Sequence, residues 1–589
     1  MNKAYTTLIF LLILFIQSGN IVGKDILTTP LKRTDILNIG SIAYPANLEE
    51  RSDIPFKLLV DEEFKKLMSD SVNYEQFRPT LIFFERGFKA PKATDKKTSF
   101  GYITVTALSG KYRFPKQISD VQKAKIESNI KQDVDTNLIG TQFQVKKWDS
   151  FDFKTINGLI AIQYSYEQTL KGKNPTNITT TNLYDSDVQL QIVLSAPKKE
   201  YKKWLAYYNQ IVETFKRKVN IADIATFEYP TDIQERKDIP FKLLVDNEFK
   251  KILGESVDYE QFRPGLLFLN RNFEIADSTN IPPFGSISFN VLPDSNPRTL
   301  KKDSLNRDLL QENIKKNVQQ NLDSTDYKIN NWGSFEISEL EGVPILQYSY
   351  EQQLRNNEAS KIYAAYLFDK SGQIQLTMSS PLNSSTEWKN RYDKILASYQ
   401  RLVAIPNIGT MFYPVNLEER SDIPFVTLVD KESKKKLGDS IDYERFRPTL
   451  LFLKRDFNEN DPNQLESFSS ITINTQEGNF SRLSHPDSMN IDTIQYQMKA
   501  SVERNLQNTG YSLISWDSFN SSLSNGTRII SYSYTQQLEG LEPKHIGVTY
   551  FYTEGSQTLV TLTSSESEYS FWKPEYEQMI QSFRLSGQR

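Results

Sequence analysis

At 589 residues the chain is too long for one hydrophobic core, because single domains stop growing well before about 300 residues. Hydrophobic residues make up 38% and aromatic residues 12%, which excludes a disordered chain. The 70 basic and 73 acidic residues nearly cancel, so composition gives no reason to expect nucleic acid as a partner, and the absence of cysteine excludes disulfides, thiolate metal sites and a lipidated cysteine anchor.

The chain opens on Lys3 and an unbroken apolar run, Leu8 to Ile16. That run is short for a bilayer span, which needs about 20 apolar residues, and fits the core of a secretory signal peptide over residues 1–23. Ile21 departs from the small residue expected near a cleavage site after Gly23, so an uncleaved N-terminal anchor is the alternative. No later segment is apolar for long enough to span a membrane. A secreted or periplasmic location follows, bacterial export being the simplest route. The five Asn-x-Ser/Thr sites, at Asn177, Asn383, Asn479, Asn520 and Asn525, matter only in a eukaryotic one.

A long repeat organises the rest. Asp53-Ile54-Pro55-Phe56 returns at Asp238 and Asp422, and Trp148-x-Ser150-Phe151 returns at Trp332 and Trp516. Trp204, Trp388 and Trp572 stand 184 residues apart, as Trp148, Trp332 and Trp516 do. The unit is domain-sized, unlike a solenoid repeat. Three modules are expected, over residues 36–218, 219–404 and 405–589.

Within the first module, Ser41 to Pro45 reads as an edge strand stopped by proline. A helix is expected from Asp53, with Asp53 as cap and Pro55 in the first turn. Leu81–Phe88 and Tyr102–Leu108 read as strands. Ile126, Ile130, Val134 and Leu138 then form a helical stripe, repeated at Leu310, Ile314, Val318, Leu322 and at Ile494, Met498, Val502, Leu506. Strands follow around Phe143–Trp148, Leu159–Leu170, Thr179–Tyr184 and Gln189–Leu194, and Trp204, Tyr208, Ile211 and Phe215 mark a closing helix. The order predicts an α+β fold, three tandem α/β/α sandwiches with mainly antiparallel sheets flanked by helices. Arg217–Asp223 and Val403–Ile408 read as linkers too short for free tumbling.

The opening phrase Ala43-Tyr44-Pro45, the central amphipathic helix, the run of strands and the closing phrases Val212-Glu213-Thr214-Phe215-Lys216 and Gln581-Ser582-Phe583-Arg584 together resemble the PsbP/DcrB-like family. The resemblance spans each copy. It implies an α/β/α sandwich and a role in binding or assembly without catalysis. The chain departs from the family pattern in the helix after the Tyr-Pro strand and in its triplication, and no functional residue carries over.

Chemistry-bearing patterns are few. Only His485 and His545 exist, both in the third copy, so no site common to the modules uses histidine. Nucleophile elbows, phosphate loops and zinc-protease signatures are absent. Asp369-Lys370-Ser371-Gly372 reads as a hairpin turn in preference to a calcium loop. The best polar constellation is Tyr74-Glu75-x-Phe77-Arg78-Pro79, with Tyr259, Glu260, Arg263 and Tyr443, Glu444, Arg447 in the other copies. Its glutamate and arginine could hold a charged ligand, and these nine residues are the candidate binding positions. A structural turn organised by arginine is the competing and favoured reading. Asp61, Asp246 and Asp430 repeat too, and invite a carboxylate hydrolase. Tyr164-Ser165-Tyr166, with its counterparts at Tyr348 and Tyr532, puts two tyrosines on one sheet face, as a ligand platform or as packing beneath a helix. The leading expectation is an exported, non-catalytic binding or assembly factor without cofactor or metal. Its partner would be an unidentified protein or envelope component. A hydrolase and an architectural envelope spacer are the alternatives.

Overall fold

The computed structural model describes residues 30–585 except 37–38, 53, 68–71, 73, 90–99, 111, 113–117, 171–174, 186, 255, 276–280, 293–305, 324, 356, 370–371, 406–407, 430–433, 435–437, 439–440, 467, 481–490 and 525–526. The expected signal peptide, Asp53, Asp430, His485 and Asn525 therefore lie outside the described residues. Residues up to Tyr399 build one compact unit, apart from Ala222–Ala225 and Glu339–Val343, which group with Gln400 onward in a second.

The first copy runs β1 (Leu31–Ile36), β2 (Gly40–Pro45), β3 (Leu48–Glu50), α1 (Phe56–Leu59), α2 (Glu62–Leu67), a 3-10 turn at Tyr74–Phe77, β4 (Leu81–Glu85) and β5 (Tyr102–Ser109). It continues with α3 (Asp120–Leu138), β6 (Phe143–Ile156), β7 (Leu159–Leu170), β8 (Thr176–Tyr184), β9 (Val188–Pro197), α4 (Tyr201–Glu213) and β10 (Lys216–Ile221). The second copy has β11 (Ala225–Tyr229), β12 (Ile233–Glu235), α5 (Phe241–Leu244), α6 (Asn247–Leu253), β13 (Leu266–Asn270) and β14 (Ser286–Leu292). Then come α7 (Arg307–Leu322), β15 (Tyr327–Leu340), β16 (Val343–Leu354), β17 (Ser360–Asp369), β18 (Gly372–Pro381), α8 (Ser385–Leu396) and β19 (Gln400–Ile405). The third copy has β20 (Gly409–Phe412), β21 (Leu417–Glu419), α9 (Phe425–Leu428), β22 (Leu450–Lys454), α10 (Pro462–Glu466), β23 (Ser470–Glu477) and α11 (Ile491–Thr509). It closes with β24 (Tyr511–Ser524), β25 (Thr527–Leu538), β26 (Lys544–Tyr552), β27 (Ser556–Ser565), α12 (Tyr569–Ser582) and β28 (Arg584–Leu585).

Each copy contributes an antiparallel seven-stranded sheet of one order: β3-β4-β5-β9-β8-β7-β6, β12-β13-β14-β18-β17-β16-β15 and β21-β22-β23-β27-β26-β25-β24. The molecule is thus an α+β fold of repeated modules. Both faces of the first sheet are covered. Leu159, Ala161, Leu190, Ile192 and Leu194 pack with Trp204, Tyr208 and Ile211 of α4. The alternate residues Ile162, Tyr164, Tyr166 and Val193 pack with Val134 and Leu138 of α3. Alternation along β7 therefore divides two buried layers, and the strand opens on the unbroken apolar run Leu159-Ile160-Ala161-Ile162. A capping box starts α3: Ser119 accepts from the Gln122 amide and Gln122 accepts from the Ser119 amide.

Three expectations need correction. The helix expected from Asp53 is two short pieces. Pro55 is the N-cap residue of the first, outside its first turn, and Val60 at its end is extended (φ −71°, ψ 134°). Second, Ser41–Pro45 is no edge strand, for β2 lies between β1 and β10. Third, most of each stretch read as a linker is strand, Arg217–Ile221 in β10 and Val403–Ile405 in β19. In the first unit β10 pairs with β2 across Lys216↔Ser41 and neighbours β11, giving the order β1-β2-β10-β11. In the second, β19 pairs with β20 across Leu402↔Phe412, and β20 pairs with β28. β17 and β18 pair antiparallel with Asp369 opposite Gly372, and Lys370 and Ser371, expected as a turn, lie outside the described residues.

One core position differs between copies. The Tyr208 hydroxyl donates to Thr181 Oγ1 at 2.6 Å, and that of Tyr576 lies 2.8 Å from Thr549 Oγ1. In the second copy Ala365 takes the threonine's place, and the buried Tyr392 hydroxyl has no partner among the described residues. Restoring the partner with Ala365→Thr is expected to stabilise the chain by about 1 kcal/mol, read from urea unfolding. A loss would mean that the added methyl overpacks the site.

Candidate functional site

The repeated Tyr-Glu-x-Phe-Arg phrase forms a 3-10 turn in all three copies, at Tyr74–Phe77, Tyr259–Phe262 and Tyr443–Phe446. Its glutamate reaches back to the Ile-Pro-Phe segment. Glu75, Glu260 and Glu444 each accept from the amide of Phe56, Phe241 or Phe425 at 2.6 Å. The arginine Nε donates to the same carboxylate at 2.6 Å in every copy. A second guanidinium nitrogen donates to the carbonyl of Ile54, Ile239 or Ile423. The guanidinium also lies over the ring of Phe56, Phe241 or Phe425 at 5.7, 5.4 and 5.7 Å. Tyr74, Tyr259 and Tyr443 are buried behind the turn, and Tyr259 donates to the Gly254 carbonyl at 3.0 Å. The six charged candidates are thus partners of one another and of backbone, a tie between two chain segments. Hydrogen bonding to Arg263 and Arg447 holds the Glu260 and Glu444 carboxyls below the usual range.

The other sequence candidates resolve in the same direction. Asp61 accepts from the Glu63 amide at 2.9 Å, and Asp246 caps α6 through the amides of Glu248 and Phe249. Tyr164 and Tyr166 lie within the core beneath α3, while Ser165 on the opposite face meets Ser150 at 2.7 Å. His545 is stacked on Tyr569 with centroids 4.1 Å apart. Among the described residues, no group of three His, Asp or Glu could hold a metal ion, and no helix is long and apolar enough to cross a membrane.

Two features escaped sequence reasoning. The first is a difference in cover over the same turn. Phe77 is 5% exposed, whereas its counterparts Phe262 and Phe446 are 49% and 58% exposed. Ile252 and Val426, from the helices that adjoin these turns in copies two and three, are exposed as well. The identical phrase carries no local signal of this. The second is a row of charge across β1, β2, β10 and β11. Glu228, 7% exposed, binds Arg33 and Ser41, and Lys216 lies at 3.2 Å. Lys218 pairs with Asp35 at 2.6 Å beside it. The echo of Lys32-Arg33 in Lys216-Arg217 was the available clue.

Burial alone would push the Glu228 carboxyl up, but the hydrogen bonds from Arg33 and Ser41 and the charges of Arg33 and Lys216 bring it below the usual range. A carboxyl lower in the folded state than in the unfolded one stabilises above about pH 4.3, and that contribution is lost as pH falls further. Glu228→Gln is therefore expected to cost about 3 kcal/mol at pH 7 and much less near pH 3, measured by urea unfolding at both.

No protein-family model matches the chain, and no curated protein does. Among solved structures it is similar to cyanobacterial PsbP (CyanoP) from Synechocystis, at 12% identity over 32% of this chain and 92% of that one, with a TM-score of 0.21. It is also similar to a protein of Bacteroides thetaiotaomicron, at 11% identity over 62% of this chain and 97% of that one, with a TM-score of 0.19.

Proposed function

We propose that this chain is an exported, non-catalytic binding or assembly factor whose partner contacts the 3-10 turns of the second and third copies. The observation that carries the reading is the exposure of Phe262 and Phe446 at a turn whose first-copy counterpart is packed. An exposed aromatic ring on a braced turn is an economical anchor, since few torsions must be fixed on binding. The glutamate and arginine hold the turn's shape, and the phenylalanine meets the partner. Export rests on the N-terminal apolar run. The hydrolase alternative is disfavoured by the engagement of Glu75, Glu260 and Glu444 with arginine and backbone, and of Asp61 and Asp246 with amides.

The test compares the full mature chain with its Phe262→Ala/Phe446→Ala form in capture from the native cell envelope. The double variant is expected to lose, at least tenfold, whatever protein the parent retains, with an unchanged thermal midpoint. Equal retention by both forms would contradict the assignment.

A further inference from the structure

The opening Tyr-Pro of each copy stands between the same two kinds of cation, and two of the three sets are filled by an acid from the copy before. At the second copy Arg217 bonds the Tyr229 hydroxyl at 3.3 Å, and Arg271, just after β13, takes Asp185 from the turn after β8 at 2.8 Å. At the third, Arg401 lies over the Tyr413 ring at 3.7 Å, and Arg455, just after β22, takes Glu339 of β15 at 2.7 Å. Glu339 and Arg455 both belong to the second compact unit. The tyrosine is sealed each time, at 7% and 6% exposed.

The first copy repeats these groups without the acid. Lys32 stands opposite Tyr44 across β1 and β2, and Arg86 comes just after β4. Both cations are exposed, Tyr44 is half-buried, and Arg86 pairs with no carboxylate among the described residues. The face keeps its shape, since Tyr44 meets Phe83 at 4.8 Å as Tyr229 meets Phe268 at 4.7 Å. An acid is carried at the far end of the third copy. Its turn between β26 and β27, the counterpart of the one that holds Asp185, presents Glu554 to solvent. Exposed Glu477 of β23 lies alongside, opposite Ser556 of β27. Thr553 takes the place of Asp185, so the acid stands one residue on.

We infer that the open face of the first copy receives the third copy of a second molecule of this chain, with Lys32 and Arg86 facing Glu477 and Glu554. A second molecule is the occupant because both junctions inside the chain fill this face from a hairpin of a like copy, and because the exposed charges at the two ends are opposite. The contact joins unlike surfaces, as head-to-tail assemblies do.

Sedimentation velocity of the full mature chain at rising concentration reads the association. At low salt the mean sedimentation coefficient is expected to climb with concentration, and the climb to shrink when salt screens the charges. Arg86→Glu alone and Glu554→Lys alone are each expected to weaken association about tenfold, since like charges then face each other. Mixed in equal amounts, the two variants meet with opposite charges at both kinds of contact and are expected to regain the wild-type climb, which a misfolded variant could not do. A wild type that stays monomeric overturns the inference, whether or not Arg86 then proves to hold an acidic loop of another protein. So does a single variant that associates like the wild type, or a mixture that stays monomeric.

Discussion

Trp204→Ala is expected to destabilise the first copy by about 3–5 kcal/mol, the range for deleting a large buried ring whose site cannot collapse. Trp204 is 2% exposed, with its edge turned to Tyr207 (centroids 5.9 Å apart) and α4 held against the sheet behind it. The site cannot collapse because its floor is already bare. A Cβ built on Gly101 would lie 2.1 Å from Trp204 Nε1, and one built on Gly285 would lie 2.0 Å from Trp388 Cε2. Glycine at these two positions is a matter of space for the indole. Gly101→Ala is accordingly expected to cost about 1–3 kcal/mol by overpacking, read from the same denaturant curves. The third copy solves the position differently. Ser469 stands there, and its hydroxyl and the Trp572 indole N–H both donate to Glu568 Oε2, at 2.7 and 3.1 Å. In the third copy Glu568 receives the serine; the matching residue is Glu200 in the first copy and Ser384 in the second. If Trp204→Ala and Gly101→Ala were both nearly neutral, α4 would not be held by its tryptophan.

Asp185→Asn is expected to cost about 3–5 kcal/mol, because it removes one partner from a buried ionic cluster and takes from Arg271 its carboxylate. The Asp185 carboxylate, 4% exposed, receives Arg271 Nη1 at 2.8 Å and lies 3.3 Å from Arg217 Nε. Arg217 also binds Asp187 at 3.1 Å and the Tyr229 hydroxyl at 3.3 Å, and Arg271 donates to the Thr231 carbonyl at 2.7 Å. Asp185 and Arg217 belong to the first copy, Arg271 and Tyr229 to the second. The loss should therefore be accompanied by a change in cooperativity, with the first two copies melting apart in calorimetry. A single unsplit transition of undiminished midpoint in Asp185→Asn would show that other contacts join them.

Much of this architecture was legible because it is local and repeated. The spacing of Trp148, Trp332 and Trp516 gave the length of the copy, and the stripe from Ile126 to Leu138 gave α3. β7 and the closing helix were readable for the same reason. The parts that failed depend on distant residues. Arg217–Ile221 reads as a linker because its strand pairs with β2, Arg217 opposite Gly40, far away in the chain, and pairing of that kind leaves no period in a short window. The opening helix broke because Val60 must be extended for Asp61 to cap the next turn, a choice that two short apolar runs do not announce. At the candidate site, sequence named Glu75, Arg78 and their counterparts and offered a structural turn beside a ligand site. It could not offer the exposed phenylalanines, since Phe77, Phe262 and Phe446 occupy one phrase and differ only in what lies over them.

Native-state hydrogen exchange in rising urea, followed at Leu159–Tyr184 of the first copy and Val343–Asp369 of the second, tests most directly whether these two copies are one cooperative body. Joined by the Glu228 row and the Asp185 cluster, amides of both sheets should converge on a single opening free energy and a single urea dependence. Exchange of the second sheet at lower urea, with the first still fully protected, would contradict the account.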